Sequence, residues 1–160
     1  MEQEPQINEH NKQEYPPMHT AEHILNATMV KVFGCGRAVT AHIERKKSKC
    51  DYLLPREPPA AEIDDIARRV NDIIAEDLPV TVDYIKAGDA VGEFDLSRLP
   101  DDASEMLRVV CVGDYDRCLC AGAHVARTSE IGRFVLLGYN YENGKLRIRF
   151  KLQGESTARA

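Results

Sequence analysis

The stretch MHTAEHILNATMVKVFG, residues 18–34, carries two histidines four positions apart at the start of a helical pattern. Its apolar residues recur at three- and four-residue steps, which is the period of one helical face. Gly34 follows the last apolar residue, where glycine commonly ends a helix. The pattern predicts an amphipathic helix with His19 and His23 on the same face.

Around this helix the chain alternates predicted strands with a second helix. Apolar residues at helical spacing predict a helix over 60–77, which Pro79 ends. Apolar and β-branched runs predict strands over 38–44, 49–54, 80–85 and 107–113, and a closing hairpin over 133–152 that turns at Asn143-Gly144. These elements predict an α+β fold in two layers, in which two main helices pack on an antiparallel sheet.

Length and composition are typical of one globular domain. The chain has 160 residues, of which 43% are hydrophobic. We expect a disordered acidic tail over residues 1–16, a single domain over 17–153 and a frayed C-terminus over 154–160. Residues 1–17 hold four glutamates and one lysine, so they account for most of the net charge of −5. The domain itself is therefore nearly neutral.

No part of the sequence indicates a membrane or secreted protein. No apolar run approaches the roughly 18 residues that a membrane span needs. The N-terminus is polar and acidic, unlike a secretory signal. We therefore predict a cytoplasmic protein without a membrane partner.

The five cysteines do not form a disulfide pattern, because their number is odd and their spacing uneven. Cys120 and His124 repeat the four-residue spacing of His19 and His23, with small residues between them. One thiol and three imidazoles are a donor set that suits tetrahedral zinc. The two pairs together predict a zinc site.

Each pair alone is weak evidence. Two histidines four apart are usually a surface feature, and a single cysteine is usually a small buried apolar residue. Their combination favours a metal, since His42 is the one other histidine beyond the tail. Residues 19–23 also match the inverted zinc-peptidase motif His-x-x-Glu-His, with Glu22 as general base. That alternative gives Cys120 and His124 no role.

The same residues resemble a known family. The runs HTAEHILNA (19–27) and RVVCVGDYDRCLCAGAHVARTSEIGRF (108–134) look like the editing domain of alanyl-tRNA synthetase and its free-standing AlaX-type relatives. The related domain of threonyl-tRNA synthetase matches less closely. The family pattern of His-x-x-x-His and then Cys-x-x-x-His is matched by His19, His23, Cys120 and His124. The run that follows is matched by Val125, Thr128, Glu130, Ile131 and Gly132. The resemblance extends over about 17–152 and is closest to the shortest AlaX type.

The chain departs from this family in the loop that carries the second pair. The family reads Cys-Gly-Gly-Thr-His, so that Ala121 and Ala123 replace a glycine and a threonine. Ser129 replaces another glycine, and Cys118 is a candidate for a competing ligand. These departures leave the four ligand positions intact and bear on substrate discrimination.

The resemblance implies a zinc-dependent hydrolase that deacylates mischarged tRNA in trans, with serine or glycine on tRNA for alanine as the substrate. It implies that the three matched histidines and the matched cysteine hold the metal and form the catalytic site. A zinc ion with three firm protein ligands keeps one position open for water. We expect His19, His23 and Cys120 to be the firm ligands and His124 the looser one.

Four further residues are candidates for contacts with the tRNA. Thr20 and Glu130 are expected near the substrate, although they can equally cap a helix and stabilise a turn. Lys46 and Lys47 lie in the basic run ERKKSK (44–49) and are expected to contact phosphate, although such lysines are often simply solvated. His42 either reaches the site or lies half-buried in the sheet.

Two other functions remain open at this point. The chain can be a non-catalytic zinc- or tRNA-binding module on the same fold, or a hydrolase of another small ester or amide. Aromatic residues are scarce, which indicates a small contact at the acceptor end of the tRNA. Both a monomer and a homodimer are compatible with the sequence.

Overall fold

The computed structural model describes residues 15–86, 88 and 106–153. The helices in these ranges are α1 (Pro16–Phe33), α2 (Ala60–Ala75) and a short 3-10 helix (Thr128–Ile131). The strands are β1 (Thr40–His42), β2 (Ser48–Leu53), β3 (Val80–Lys86), β4 (Met106–Val112), β5 (Asp116–Leu119), β6 (Arg133–Glu142) and β7 (Lys145–Gln153). Of the expected N-terminal tail only Tyr15 and Pro16 are described, and the expected C-terminal tail over 154–160 lies outside the described residues.

The described strands form two antiparallel sheets. One has the order β1-β2-β7-β6 and the other the order β3-β4-β5. The predicted α+β class is thus confirmed, while the strands are divided between two sheets where the sequence led us to expect one. The division arises because β7 pairs with both β2 and β6, whereas β3, β4 and β5 pair in chain order.

Helix α1 is buried on all sides over most of its length. All residues from Met18 to Met29 are buried, and exposure begins only at Val30. The expected amphipathic helix is therefore enclosed instead, because α2, the 3-10 helix and β5 all pack against it. The helix begins at Pro16, where a proline is well tolerated since its missing N–H has no partner in a first turn.

The hydrophobic core lies between the two helices and the four-stranded sheet. Helix α2 contributes one apolar face, made of Ile63, Ile66, Val70 and Ile74. Strand β7 buries alternate residues, Leu146, Ile148 and Phe150, as its sequence pattern predicted. The ring of Phe150 stacks on Phe134 of β6 with centroids 4.9 Å apart. In the described part of the chain, no helix is long and apolar enough to cross a bilayer.

The loop between β5 and the 3-10 helix is fixed at its far end by Thr128. The hydroxyl oxygen of Thr128 accepts a hydrogen bond from Leu78 N at 2.8 Å and donates to Ile74 O at 3.1 Å. The loop backbone also pairs with β3, where Val80 N donates to Ala126 O at 2.8 Å. These hydrogen bonds fix the end of the loop, residues 126–128, against α2 and β3.

Candidate metal centre

Four side chains from two distant parts of the chain meet at the start of α1. His19 and His23 come from the first two turns of this helix, and Cys120 and His124 come from the loop after β5. One potential ligand atom from each lies within 4.8 Å of the others. His124 is the only one of the four that is not fully buried.

Two of the distances between these atoms match those of a tetrahedral metal site. Cys120 Sγ lies 3.5 Å from His19 Nε2 and 3.6 Å from His124 Nε2. A tetrahedron with metal–sulfur bonds of about 2.3 Å and metal–nitrogen bonds of about 2.0 Å has a sulfur–nitrogen edge of about 3.5 Å. The His19 and His124 rings stack with centroids 4.2 Å apart, and the His23 ring meets them edge-on. The cluster can therefore bind a metal ion.

The Nδ1 atom of each histidine faces another protein group. The contacts are His19 with Ala123 O at 3.2 Å, His124 with Thr20 Oγ1 at 2.9 Å, and His23 with Asp116 Oδ2 at 3.4 Å. A proton on Nδ1 leaves the lone pair of Nε2 available to a metal. The surroundings of the three rings thus favour metal binding through Nε2.

The charges in the cluster favour a thiolate. Burial raises the pKa of Cys120, but hydrogen bonds with His124, His19 and His23 outweigh it and lower the pKa to about 2. Burial lowers the pKa of His124 to about 4. Burial also lowers the pKa of His23, but Asp116 and Cys120 outweigh it, so that the net shift is upward. A metal must therefore displace the proton of His23 when it binds.

An arginine that sequence reasoning missed fixes the loop around the thiolate. Nη1 of Arg108, on β4, donates to Cys120 O at 2.9 Å and to Gly122 O at 2.7 Å. The backbone N–H of Gly122 donates to Cys120 Sγ at 3.4 Å. No local sequence pattern pointed to Arg108, because its partners are backbone carbonyls in the loop after β5.

A second missed feature is the ion pair between Arg37 and Asp116. Arg37 Nη1 and Nη2 donate to the two carboxylate oxygens at 2.8 and 3.2 Å. Burial raises the pKa of Asp116, but His23 and Arg37 outweigh it and lower the pKa to about 2. The one sequence signal was spacing, since Asp116 and Cys120 are an even number of residues apart along an extended segment.

The four residues predicted to contact the tRNA do not all lie at the cluster. Thr20 is buried and also accepts a hydrogen bond from Val125 N at 3.2 Å, so it holds the loop next to His124. Glu130 is exposed, and its Oε1 accepts a hydrogen bond from Ala126 N at 3.2 Å. Lys46 and Lys47 are exposed in the turn between β1 and β2, outside the cluster.

Three other residues named from the sequence do not join the four-residue cluster. His42 is exposed and lies 3.6 Å from Glu44, so the structure does not bring it to the site and does not half-bury it. The Cys118 thiol contacts Leu119 O at 3.3 Å. The Glu22 carboxylate lies close by, with Oε1 3.8 Å from His19 Nε2.

Comparisons with known proteins identify sequences that are similar to this chain. Residues 107–158 match the family model described as the threonyl and alanyl tRNA synthetase second additional domain. The chain is 30% identical over 133 residues to the alanine–tRNA ligase of Fervidobacterium nodosum, which is 82% of this chain and 15% of the ligase. It is 32% identical over 120 residues to the alanine–tRNA ligase of Oceanobacillus iheyensis, which is 74% of this chain and 14% of the ligase. The chain thus spans less than a fifth of the length of these relatives.

The matched family residues include the loop with Cys120 and His124, and the ligase matches cover most of the chain. The α+β fold with two antiparallel sheets is consistent with that family. The chain belongs to the AlaX-like editing domains of the threonyl and alanyl tRNA synthetase second-additional-domain family.

Proposed function

We propose that this chain is a zinc-dependent deacylase that removes a wrong amino acid from tRNA, and that serine or glycine on tRNA for alanine is its substrate. The observation that carries the proposal is the cluster of one thiolate and three imidazoles with ligand atoms within 4.8 Å. Ester hydrolysis at neutral pH needs an electrophile and an activated water, and such a cluster can supply both when it holds a metal. The cytoplasm is the compartment that this function implies.

Zinc is the metal that suits the donor set best. A thiolate with three imidazoles is softer than the oxygen-rich sites of magnesium or calcium. Zinc would supply Lewis-acid chemistry, polarising the ester carbonyl and lowering the pKa of water. His19, His23 and Cys120 would hold it from the buried side. His124 lies on the more exposed side, from which an acceptor end can approach.

The tRNA part of the proposal is supported by the relatives and by one surface. The relatives are named alanine–tRNA ligases, which favours tRNA for alanine as the partner. The guanidinium of Arg45 lies 4.2 Å from the centroid of the Tyr15 ring, and Tyr15 O accepts a hydrogen bond from His19 N at 3.0 Å. The basic turn with Lys46 and Lys47 is thus attached to the end of α1 that carries the site. Protein surfaces that bind single-stranded nucleic acid, such as the acceptor end of tRNA, typically combine stacking side chains with basic ones.

A non-catalytic zinc- or tRNA-binding module is the second candidate. Four protein ligands close a zinc site, as in structural zinc sites, and leave no position for water. The contact of His124 with Thr20 favours such closure, because it restrains the ligand that is otherwise most exposed. Turnover on a charged tRNA separates the two candidates, whereas metal content does not.

The test is deacylation by the purified full chain. tRNA for alanine is charged with serine, glycine or alanine and incubated with the protein, with and without a zinc chelator. His23→Ala is the inactive variant, and His42→Ala is its matched control, since His42 is an exposed histidine. We expect chelator-sensitive loss of serine or glycine with alanine spared, full activity in His42→Ala and none in His23→Ala.

If every ester survives at the buffer rate while the protein holds zinc, the deacylase proposal fails for these substrates and the binding module is favoured. If activity persists unchanged in His23→Ala, the assignment of the site is wrong.

A further inference from the structure

A buried ion pair contacts one of the three site histidines. The Asp116 side chain is only 4% exposed and that of Arg37 34%. Both carboxylate oxygens accept hydrogen bonds from Arg37, at 2.8 and 3.2 Å. Such a two-point contact holds a carboxylate in one orientation. The edge that Asp116 presents to its neighbours is therefore fixed.

The site histidine that Asp116 contacts is His23. Its Nδ1 lies 3.4 Å from Asp116 Oδ2, at ion-pair distance, although the two groups are not aligned as a hydrogen bond. The Nδ1 atoms of His19 and His124 face a carbonyl and a hydroxyl, which are neutral. Among the three rings, His23 is thus the one whose Nδ1 faces a carboxylate. A carboxylate behind a metal-binding imidazole raises the basicity of the imidazole and fixes its proton on the far nitrogen.

We propose that Asp116, held by Arg37, is a positioning residue that orients His23 and fixes its proton on Nδ1, so that Nε2 is presented to the metal. This inference rests on the proposed zinc site. Arg37 has two effects: it prevents the carboxylate from rotating away, and it balances a negative charge that would be costly to bury alone. The positioning pair thus joins the loop after α1 to the start of β5 and to the site.

The chain contains a matched control for this pair. Arg147 donates to both oxygens of Asp51 at 2.8 and 3.0 Å, across β7 and β2. The exposed fractions of these side chains are 36% for Arg147 and 3% for Asp51, almost the same as in the positioning pair. Asp51→Asn therefore removes an equivalent buried charge while leaving the contact with His23 intact.

The experiment compares the wild-type full chain with Asp116→Asn, Asp51→Asn and Arg37→Gln. Zinc affinity is measured by competition with a chromogenic chelator, the proton position on the histidines by long-range proton–nitrogen NMR, and stability by thermal melting. We expect Asp116→Asn to lower zinc affinity about 10- to 100-fold and to weaken the Nδ1–H signal of His23. Asp51→Asn should lower the melting temperature by about as much as Asp116→Asn does, but it should keep the wild-type zinc affinity.

Arg37→Gln keeps the carboxylate but frees it, so it should lower zinc affinity by less than Asp116→Asn. This variant serves as the test if Asp116→Asn does not fold. Wild-type zinc affinity in both Asp116→Asn and Arg37→Gln would overturn the inference, and so would an equal loss of affinity in Asp51→Asn. Neither result would contradict the deacylase proposal, because that proposal is tested by turnover of the wild type. A wild type that binds zinc but does not turn over would overturn only that proposal.

Discussion

The Thr20 hydroxyl lies 2.9 Å from Nδ1 of His124 and accepts a hydrogen bond from Val125 N, although more than a hundred positions separate Thr20 from either residue. A buried residue of the first helix thus orients one of the proposed metal ligands, on a loop far along the chain. The contact gives Thr20 a defined role in the site that does not depend on a substrate.

We expect Thr20→Val to lower zinc affinity about tenfold, because valine keeps the shape but removes both contacts of the hydroxyl. Thr20→Ser keeps the hydroxyl and should retain most of the affinity. Chelator competition on the two variants measures the difference. Equal affinities for valine and serine would show that the hydroxyl does not position His124.

The four ligand residues should not contribute equally. His124 is partly exposed while His19, His23 and Cys120 are buried, so water can replace its imidazole most easily. We expect His124→Ala to retain measurable zinc binding under conditions in which His23→Ala and Cys120→Ser lose it. Zinc content after dialysis provides the measurement. Complete loss in all three variants would instead indicate a closed site with four firm ligands.

The basic turn between β1 and β2 should contribute to tRNA affinity through charge. We expect the double variant Lys46→Ala and Lys47→Ala to bind tRNA more weakly and to reduce the slope of log affinity against log salt by about 1 to 2 units. The matched control is Arg68→Ala with Arg69→Ala, which removes two charges from the exposed face of α2. An unchanged slope in the lysine variant, or an equal change in the arginine variant, would contradict the assignment.

Two buried acids in β2 should make the protein sensitive to alkali. Burial is the main cause that raises the pKa of Cys50 and of Tyr52 above their ordinary values. A folded-state pKa above the unfolded value means that the stabilising effect is complete below the unfolded pKa and is lost as the pH rises. The unfolded-state pKa is about 8.5 for a cysteine and about 10 for a tyrosine. Above each of these pH values, the free energy of unfolding should fall by up to about 1.4 kcal/mol per pH unit for the group concerned.

Tyr52→Phe tests the tyrosine part. Its hydroxyl donates to Asn26 Oδ1 at 2.6 Å, so the variant should lose about 1 kcal/mol at neutral pH. Above pH of about 10, however, its stability should fall less steeply than that of the wild type. Urea unfolding between neutral and strongly alkaline pH measures both effects, and parallel curves would refute the assignment.

The local parts of this structure were predictable from the sequence. Helix periodicity located α1 and α2, alternation identified the buried face of β7, and Asn143-Gly144 marked the hairpin turn. These features depend on residues close together in the chain, so the pattern of side chains encodes them directly. The four-residue spacing of His19 with His23, and of Cys120 with His124, could be read from the sequence for the same reason.

The non-local parts were not predictable in this way. Division of the strands into two sheets depends on which strands pair, and strand patterns do not encode their partners. Burial of α1 on all sides from Met18 to Met29 was not predicted either, because residues such as Glu22 and Asn26 look solvent-facing until their surroundings are known. Arg37 and Arg108 act on groups far away in the sequence, so no spacing rule could have connected them with the site.

Enclosure of α1 also has a consequence for biosynthesis. His23 leaves the ribosome roughly 5 to 20 seconds before Cys120, at the usual rates of translation. Two of the elements that pack against the helix, β5 and the 3-10 helix, are made at about the same time as Cys120 or after it. Nascent chains must therefore carry a partly uncovered apolar helix and half of the four-residue cluster until residues 116–131 have been made. All four residues of the proposed metal site are available only after His124 has been made, so that a product truncated before it would lack the complete site and would be exposed to proteases and chaperones.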